Sequence, residues 1–397
     1  MTRFPPNART LLLAALAALA GACSARPLHG EADGGGFGIG LAGAGGTIGL
    51  AGAGGGTFTP TRKVDMLFLV DDSSETTRLQ TTFLDNFPVF LTTLRGLSGP
   101  PADLHIAVVS SDLGAGDGSI GGCNATGGDQ GIFRHTARGT CTSTGLTPGA
   151  TFIADNGAVA NYTGNLVDVF DCIAALGENG CGFEHQLAAV ARALGADGMP
   201  PPEENQGFLR PDAYLFIMLV TNEDDCSAPP GSSLFDSTMN SASAPLGYVG
   251  SYRCNEFGHL CDGVRPPRSP PDGNAADVIT LEGCHSAESA GMLIPIASLV
   301  AQLRALKPFP DQQIIVAALA GPSEPYEVHW LVRSGETAPR PHVAHSCTAP
   351  DLSWADPAVR ITDWVNAFGA NGLFLSACDT SFAPSLDRLA QLLSQAP

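Results

Sequence analysis

The sequence predicts an α/β fold with a doubly wound, mostly parallel sheet, and three observations support this prediction. Apolar segments typical of buried strands, such as Val64–Val70 and Tyr214–Val220, alternate with segments of helical periodicity. Each of these strands ends in a short polar turn, as strands that lead into helices commonly do. Two loop-rich insertions with cysteines, at about 113–163 and 226–286, interrupt the pattern without ending it.

The first half of this fold is predicted from two strands and three helices. Val64–Val70 is apolar almost throughout, which is typical of a parallel strand buried on both faces. A helix follows, because Leu79, Phe83, Phe87 and Phe90 recur at helical spacing through about residue 97. Leu104–Val109 is the second strand, and helices are predicted at 164–176 and 183–195, after the first insertion.

The second half begins with the buried strand Tyr214–Val220, which precedes the second insertion. A helix at 290–306, a strand at Ile314–Leu319 and an edge strand at Glu327–Val332 follow. Helices near 357–368 and 384–395 complete the predicted elements. Residues 58–397 are therefore predicted to form one domain with two insertions.

Composition limits the classes of partner. The chain has 397 residues, with 20 Lys and Arg against 39 Asp and Glu, and a formal net charge of −19. An acidic surface repels nucleic acid and anionic lipid, so we expect neither as a partner of the folded region. The charge fits solubility and the binding of cations better. Nothing in the sequence defines the oligomeric state.

Residues 1–22 are predicted to be a lipoprotein signal peptide. Arg3 and Arg9 precede an apolar stretch at 11–20 that is too short to span a bilayer. The following Ala-Gly-Ala-Cys resembles the bacterial lipobox, which implies that Cys23 is acylated, for example by palmitate, and anchors the chain to a membrane. By analogy with sorting rules, Ser24 after the cysteine favours the outer membrane of the cell envelope. Secretory cleavage before Cys23 without acylation is the alternative.

The segment 23–57 is predicted to be the acylated cysteine followed by a flexible tether. Its eight residues at 39–46 recur identically at 48–55, as Ile-Gly-Leu-Ala-Gly-Ala-Gly-Gly. Repeats of Gly and Ala behave as flexible coil. We therefore expect the domain to be joined to the membrane through a flexible segment and its lipid, with no further membrane contact.

The eleven cysteines divide into Cys23 and an even set of ten. An exported chain meets oxidising conditions, so the ten are disulfide candidates: Cys123, Cys141, Cys172, Cys181, Cys226, Cys254, Cys261, Cys284, Cys347 and Cys378. The short-loop pairs Cys172–Cys181 and Cys254–Cys261 are expected, although connectivity does not follow from sequence. Zinc is the alternative, but the Cys-x-x-Cys pairs common in zinc sites are absent.

Oxygen-bearing side chains follow three of the predicted strands, in the segments 71–75, 110–112 and 221–225. In doubly wound sheets, ligands bind outside the carboxyl ends of the strands. Carboxylate, hydroxyl and amide oxygens are suitable ligands for Mg²⁺ or Ca²⁺. The candidate metal ligands are Asp71, Ser73, Glu75, Asn222 and Asp224, provided that the turns beginning at Asp71 and Thr221 converge.

The strand followed by Asp71-x-Ser73 resembles the first motif of von Willebrand factor A (VWA) domains. The metal-ion-dependent adhesion site of that family uses Asp-x-Ser-x-Ser here and an Asp after the fourth-strand Thr. Residues 220–227, Val-Thr-Asn-Glu-Asp-Asp-Cys-Ser, resemble a segment of secreted bacterial VWA-like lipoproteins. The resemblance covers about residues 60–380. It implies a surface lipoprotein that binds a protein or glycan, using a divalent metal.

Two positions depart from that motif. Glu75 stands where the family has Ser, and Asn222 stands where it has Asp. The Thr of the family's middle loop has no clear counterpart, and Glu184 is its candidate. A site with Mg²⁺ or Ca²⁺ is one interpretation. The other is that these acids only cap helices and turns.

Three functions follow, in different classes. The first is a binding and adhesion module, the second is a metal-assisted hydrolase at the acidic turns, and the third is a structural envelope protein. No Gly-x-Ser-x-Gly or His-Glu-x-x-His motif is present, so we predict that the chain is not an enzyme. His342-x-x-His345 beside Cys347 is a further candidate for a metal or thiol site. His185 is expected at the surface.

Overall fold

The computed structural model describes residues 62–96, 102–116, 118–123, 127–274, 276–332, 338–379 and 381–395. The predicted signal peptide, the lipidation site Cys23 and the Gly-rich tether lie outside the described residues. The described residues belong to one compact unit, Phe58–Pro397. No helix among them is both long enough and apolar enough to cross a membrane.

The strands of the described residues are β1 (Lys63–Val70), β2 (Asp103–Ser110), β3 (Ile153–Asp155), β4 (Tyr214–Val220), β5 (His259–Cys261), β6 (Val278–Leu281), β7 (Cys284–Ser286), β8 (Ile314–Ala320), β9 (Tyr326–Leu331), β10 (Arg340–Val343), β11 (Cys347–Thr348), β12 (Trp354–Ala355) and β13 (Gly372–Ser376). The α-helices are α1 (Thr77–Gly96), α2 (Leu166–Ala174), α3 (Gln186–Leu194), α4 (Tyr252–Gly258), α5 (Ile296–Arg304), α6 (Pro310–Gln313), α7 (Val359–Asn366) and α8 (Ala383–Gln395).

A six-stranded sheet in the order β13-β8-β4-β1-β2-β3 forms the centre of the domain. Every neighbouring pair is parallel except β2 and β3, which are antiparallel. Counted within this sheet, the order is 3-2-1-4-5-6 from the β3 edge, which is the doubly wound arrangement. The predicted α/β fold with a mostly parallel sheet is therefore confirmed. Val70 at the end of β1 is in register with Ser110 on β2 and Val220 on β4, so these strand ends lie side by side.

The two faces of the sheet are covered by different helices, because successive strand residues point to opposite faces. Phe68 of β1 lies in a buried cluster with residues of α1, α2 and α8. Its neighbours Leu67 and Leu69 lie in a second cluster with residues of α3, α5 and α7. Burial on both faces explains why β1 and β4 are apolar along nearly their whole length.

Three elements differ from the prediction. The predicted edge strand Glu327–Val332 is β9, which is the middle strand of a separate antiparallel sheet, β10-β9-β6. The edge of the central sheet is instead β13, a short Gly-Leu-Phe-Leu-Ser segment without a long apolar run. The first insertion contains β3, which forms the other edge. Such short edge strands are specified by the neighbour to which they bond, so the local pattern did not reveal them.

All ten candidate cysteines form disulfides, as predicted. The pairs are Cys123–Cys181, Cys141–Cys172, Cys226–Cys254, Cys261–Cys284 and Cys347–Cys378. The expected pairs Cys172–Cys181 and Cys254–Cys261 are wrong. Each partner of those short-loop pairs bonds instead to a cysteine 23 to 58 residues away. Tertiary packing brings these distant cysteines together, whereas sequence proximity does not orient two side chains towards each other.

The carboxyl group of Asp171 on α2 provides a prediction of pH dependence. Burial raises its pKa from 3.8 to about 6, and repulsion from Asp168 and Asp85 contributes further. The folded state therefore holds this proton more tightly than the unfolded state, so stability falls as pH rises from about 4 to about 6. The change Asp171→Asn should remove this fall and stabilise the protein at pH 7 by about 1 kcal/mol, since partial exposure reduces the effect.

Urea unfolding from pH 4 to pH 8 measures this difference. Asp272→Asn is the matched control, because Asp272 is exposed, and it should leave the profile unchanged. An Asp171→Asn protein whose stability follows the same pH curve as the parent would contradict the prediction.

Candidate cation site at the strand ends

The turns after β1 and β4 converge on the carboxylate of Asp71. The Thr221 hydroxyl donates to Asp71 Oδ2 at 2.6 Å, and the Ser111 hydroxyl, beyond the end of β2, donates to Asp71 Oδ1 at 3.0 Å. Asp71 is only 1% exposed. Because β2, β1 and β4 are adjacent and parallel, three segments far apart in sequence meet at one point.

The turn that begins at Asp71 also holds Ser73 at this point. The Ser73 N–H donates to Asp71 Oδ1 at 2.9 Å, and Gln80 Nε2 of α1 donates to the Asp71 carbonyl at 2.8 Å. The Thr76 hydroxyl donates to the Ser73 carbonyl at 2.8 Å, which closes the turn into α1. Ser73 is thereby buried beside Asp71, and its hydroxyl is not used by the turn itself.

Several polar atoms at these strand ends are buried and have no hydrogen-bond partner within the described residues. They include Ser73 Oγ, Glu184 Oε1, and both Oδ1 and Nδ2 of Asn222. Leaving a buried polar group unsatisfied costs about 1–3 kcal/mol. Most buried polar groups in folded proteins are satisfied by protein or ordered water, so a bound ion or water at this edge would complete their bonding.

The carboxyl groups of Glu184 and Glu223 are strongly affected by their surroundings. Burial raises the pKa of Glu184 well above its ordinary value, with repulsion from Glu223 and Asp71 as further causes. Burial raises the pKa of Glu223 to about 8, with repulsion from Asp356 and Asp71 adding to it. A nearby cation would lower both pKa values, since it favours the charged forms.

Glu75 and Asp224, both candidate ligands, have other partners in the structure. Glu75 is exposed, has φ of +68°, and accepts a hydrogen bond from Trp354 Nε1 at 2.7 Å. Asp224 Oδ2 accepts from His259 Nε2 and from the Arg360 N–H, at 2.8 and 2.9 Å. Its Oδ1 accepts from Ile361 N, so Asp224 caps the first turn of α7.

Two side chains at this edge were not among the predicted ligands. Ser111 directly follows β2, so its place after a strand was the available signal. Glu184 was only the candidate for the middle-loop Thr, and the structure buries it among the unsatisfied polar atoms.

The expectation that His185 lies at the surface is wrong: it is 5% exposed, and its Nε2 lies 2.9 Å from the Gly114 carbonyl oxygen.

The donor set fits a hard cation better than a transition metal. Among the residues that the structure describes, no three His, Cys, Asp or Glu side chains are grouped as metal ligands, so a cation here would depend on hydroxyl and amide oxygens in addition to carboxylates. The strand ends instead combine carboxylates with hydroxyl and amide oxygens, and these are ligands of the kind that Mg²⁺ and Ca²⁺ accept. The buried, unsatisfied Ser73 Oγ and Asn222 Oδ1 are consistent with such a donor set.

Comparison with known proteins leaves the family open. No protein-family model matches the chain, and no curated protein matches it. Among solved structures, the chain is similar to the pilus adhesin SpaC from Lactobacillus rhamnosus GG in an open conformation, with 11% identity and a TM-score of 0.34. The match covers 85% of this chain and 30% of that chain. A TM-score of this size does not establish a shared fold, so the fold is assigned from strand order and register alone.

Proposed function

We propose that the chain is a lipid-anchored binding protein of the cell envelope, whose VWA-like domain binds a protein or glycan at the ends of β1, β2 and β4. The observation that carries this proposal is the buried oxygen cluster around Asp71. Hydroxyls from two neighbouring turns already bond to this carboxylate, and the buried Ser73 hydroxyl and Asn222 amide of the same turns have no hydrogen-bond partner among the described residues. The doubly wound strand order supports a binding site at this edge.

A divalent cation, Mg²⁺ or Ca²⁺, is part of the proposal. Asp71, Ser73 and the buried carboxyl of Glu184 would hold it, with Thr221 and Ser111 orienting Asp71 through their hydrogen bonds. The ion would supply a positive charge with which an acidic group of the partner can pair. Asn222 contributes no charge, so Glu184 replaces the negative charge that the VWA motif places at the position of Asn222.

The anchor is proposed from the sequence. Acylation of Cys23 would attach the chain to a membrane, which we propose is the outer membrane. The segment 24–57, which lies outside the described residues, is rich in Gly and Ala, a composition that suits a tether. The strand-end surface would then be presented to partners outside the membrane.

A metal-assisted hydrolase is the alternative function, and one observation favours it. The pKa of Glu223 is raised to about 8, so this carboxyl could donate a proton near neutral pH, as a general acid does. Turnover on a panel of ester, amide and glycoside substrates would separate this function from binding alone. Loss of that turnover in Asp71→Asn would assign the activity to this site.

The cation is tested by thermal unfolding of the full chain with Mg²⁺, Ca²⁺ or Mn²⁺ against EDTA. At a free cation concentration 100 times the Kd, binding to the folded state should add about 2.7 kcal/mol of stability. The change Asp71→Asn should abolish this gain, because it removes the central charge while keeping the shape of the side chain. Asp212→Asn is the matched control, since Asp212 is an exposed carboxylate paired with Lys63, and it should retain the gain.

Two results would contradict the proposal. A stabilisation that persists unchanged in Asp71→Asn would show that the cation binds elsewhere. If none of the three cations stabilised the protein, the proposal that a cation binds here would be wrong. The function as a structural envelope protein would then be favoured.

A further inference from the structure

A pair of histidines lies on the small antiparallel sheet, in residues that the proposed cation site does not use. His329 on β9 is directly opposite His342 on β10 in the strand register. Residues directly opposite on neighbouring antiparallel strands point to the same face of the sheet, with their Cβ atoms about 5 Å apart. The two imidazoles are therefore neighbours because of strand pairing, although 13 positions separate them in sequence.

The spacing of the two rings matches that of two imidazoles bound to one metal ion. Their centroids are 5.4 Å apart, and the ring planes are inclined by 77°. At metal–nitrogen distances of about 2.0–2.1 Å and a tetrahedral angle, two imidazole centroids lie about 5 Å apart. A shared metal would require one nitrogen of each ring to turn towards the same point.

Glu327 provides the carboxylate that commonly orients a metal-binding histidine. It lies two residues before His329 on β9, and therefore on the same face of the sheet. Its Oε2 is 3.1 Å from His329 Nε2, and its carbonyl accepts the Ala344 N–H at 2.9 Å, which fixes the register with β10. With Nε2 bonded to this carboxylate, Nδ1 of His329 is the nitrogen available to a metal.

Both histidines are partly exposed, although Nδ1 of His342 is buried. The side chain of His329 is 33% exposed and that of Glu327 is 38% exposed. Among the described residues, no three His, Cys, Asp or Glu side chains are grouped as metal ligands, so a metal bound here would have two imidazoles as its protein ligands. Water or a group from a partner would complete the coordination.

We propose that His329 and His342 bind one divalent transition-metal ion, of the class Zn²⁺, Cu²⁺ or Ni²⁺, with Glu327 as the positioning residue. Imidazole nitrogen suits these ions, whereas Mg²⁺ and Ca²⁺ require oxygen ligands. The two sites therefore differ in the ions that they accept, and this inference does not depend on the function proposed above.

The structure separates this pair from the sequence motif His342-x-x-His345. His345 Nδ1 bonds to Asp356 Oδ1 at 2.6 Å, and the ring stacks on Trp354 with centroids 3.9 Å apart. Cys347 forms a disulfide with Cys378. The proposed metal would therefore be shared by His342 and His329, the residue across the sheet. His345, three positions after His342, contacts the loop beside β12 instead.

Isothermal titration of the full chain, purified without a histidine tag, with Zn²⁺ tests the proposal. The parent protein should bind one ion, and His329→Gln and His342→Gln should each remove this binding. Glu327→Gln should weaken the affinity about tenfold, as expected for loss of an orienting carboxylate. His345→Gln and Asp71→Asn are the matched controls, and both should bind Zn²⁺ like the parent.

Electron paramagnetic resonance of the parent protein with one equivalent of Cu²⁺ gives a readout that does not depend on any variant folding. The spectrum should show coupling to two imidazole nitrogens. A spectrum with one nitrogen or none, or Zn²⁺ binding that survives in His329→Gln, would overturn the proposal. Loss of binding in His345→Gln with retention in His329→Gln would assign the metal to the sequence motif instead.

Discussion

Replacing Arg360 with Met is expected to lower the free energy of unfolding by about 3–5 kcal/mol, because it leaves the buried carboxylate of Asp225 without its cation. Arg360 is only 1% exposed, and its Nε and Nη2 both donate to Asp225 Oδ2, at 3.1 and 3.0 Å. Its other donors reach Ser286 Oγ on β7 and the Ile294 carbonyl. One guanidinium thus joins α7, the turn after β4, and both ends of the segment 286–294.

The loss should come mainly from the orphaned charge. A second substitution, Asp225→Asn in the Arg360→Met background, removes that charge, and should recover part of the lost stability. The Leu187 N–H and the Ser227 hydroxyl, which donate to Asp225 Oδ1, can still bond to an asparagine oxygen. Arg304→Met is the matched control, since the Arg304–Asp311 pair is more exposed, and it should cost at most about 1 kcal/mol.

Urea unfolding of the single and double variants forms a double-mutant cycle that measures this coupling. Equal destabilisation by Arg360→Met and Arg304→Met would show that burial of the Arg360–Asp225 pair does not increase the cost of removing its cation.

Replacing Phe68 with Ala is expected to cost about 3–5 kcal/mol, the range for deleting a fully buried aromatic ring. Phe68 is 1% exposed at the centre of β1. Its ring lies 5.0 to 6.4 Å from five other rings, which come from α1, α2 and β4: Phe83, Phe87, Phe90, Phe170 and Phe216. The cavity would open between the sheet and two helices, where rigid neighbours limit collapse.

The magnitude is again measured by urea unfolding, with Phe309→Ala as the matched control. Phe309 is 63% exposed, so its removal should change the stability by no more than about 0.5 kcal/mol. Phe68→Leu should fall between the two, because it retains part of the buried volume. A loss below about 1 kcal/mol for Phe68→Ala would mean that the aromatic cluster is not closely packed around β1.

The long, doubly buried strands were predictable, and the short edge strands were not. β4 and β8 are apolar runs of seven residues, and β1 is apolar except for Lys63 and Asp65. Such runs are stable only when both faces are covered, which defines the fold class. β13 and β3 have five and three residues, and their place depends on the strand to which they bond. β9 was predicted as an edge strand, but β6 and β10 bond to its two sides in a separate sheet.

At the candidate cation site, the sequence predicted the turns but not the direction of each side chain. Asp71 and Thr221 follow buried parallel strands, so their proximity was expected from the sheet. Asp224, two residues from Asn222, bonds instead to the first turn of α7. Glu75 bonds to Trp354, a partner 279 residues away that no local pattern indicates.

Periodicity and apolar runs are local properties of the sequence. They were enough to predict the alternating helices and strands and the polar turns at the strand ends. The disulfide partners, the burial of Glu184 and the pairing of His329 with His342 depend on contacts between segments distant in the chain. Such contacts form only when the sheet and its insertions pack, because a side chain's partner is chosen by three-dimensional proximity and orientation. That difference explains why the fold class could be predicted, whereas the disulfide pairing and the cross-strand histidine pair required the tertiary structure.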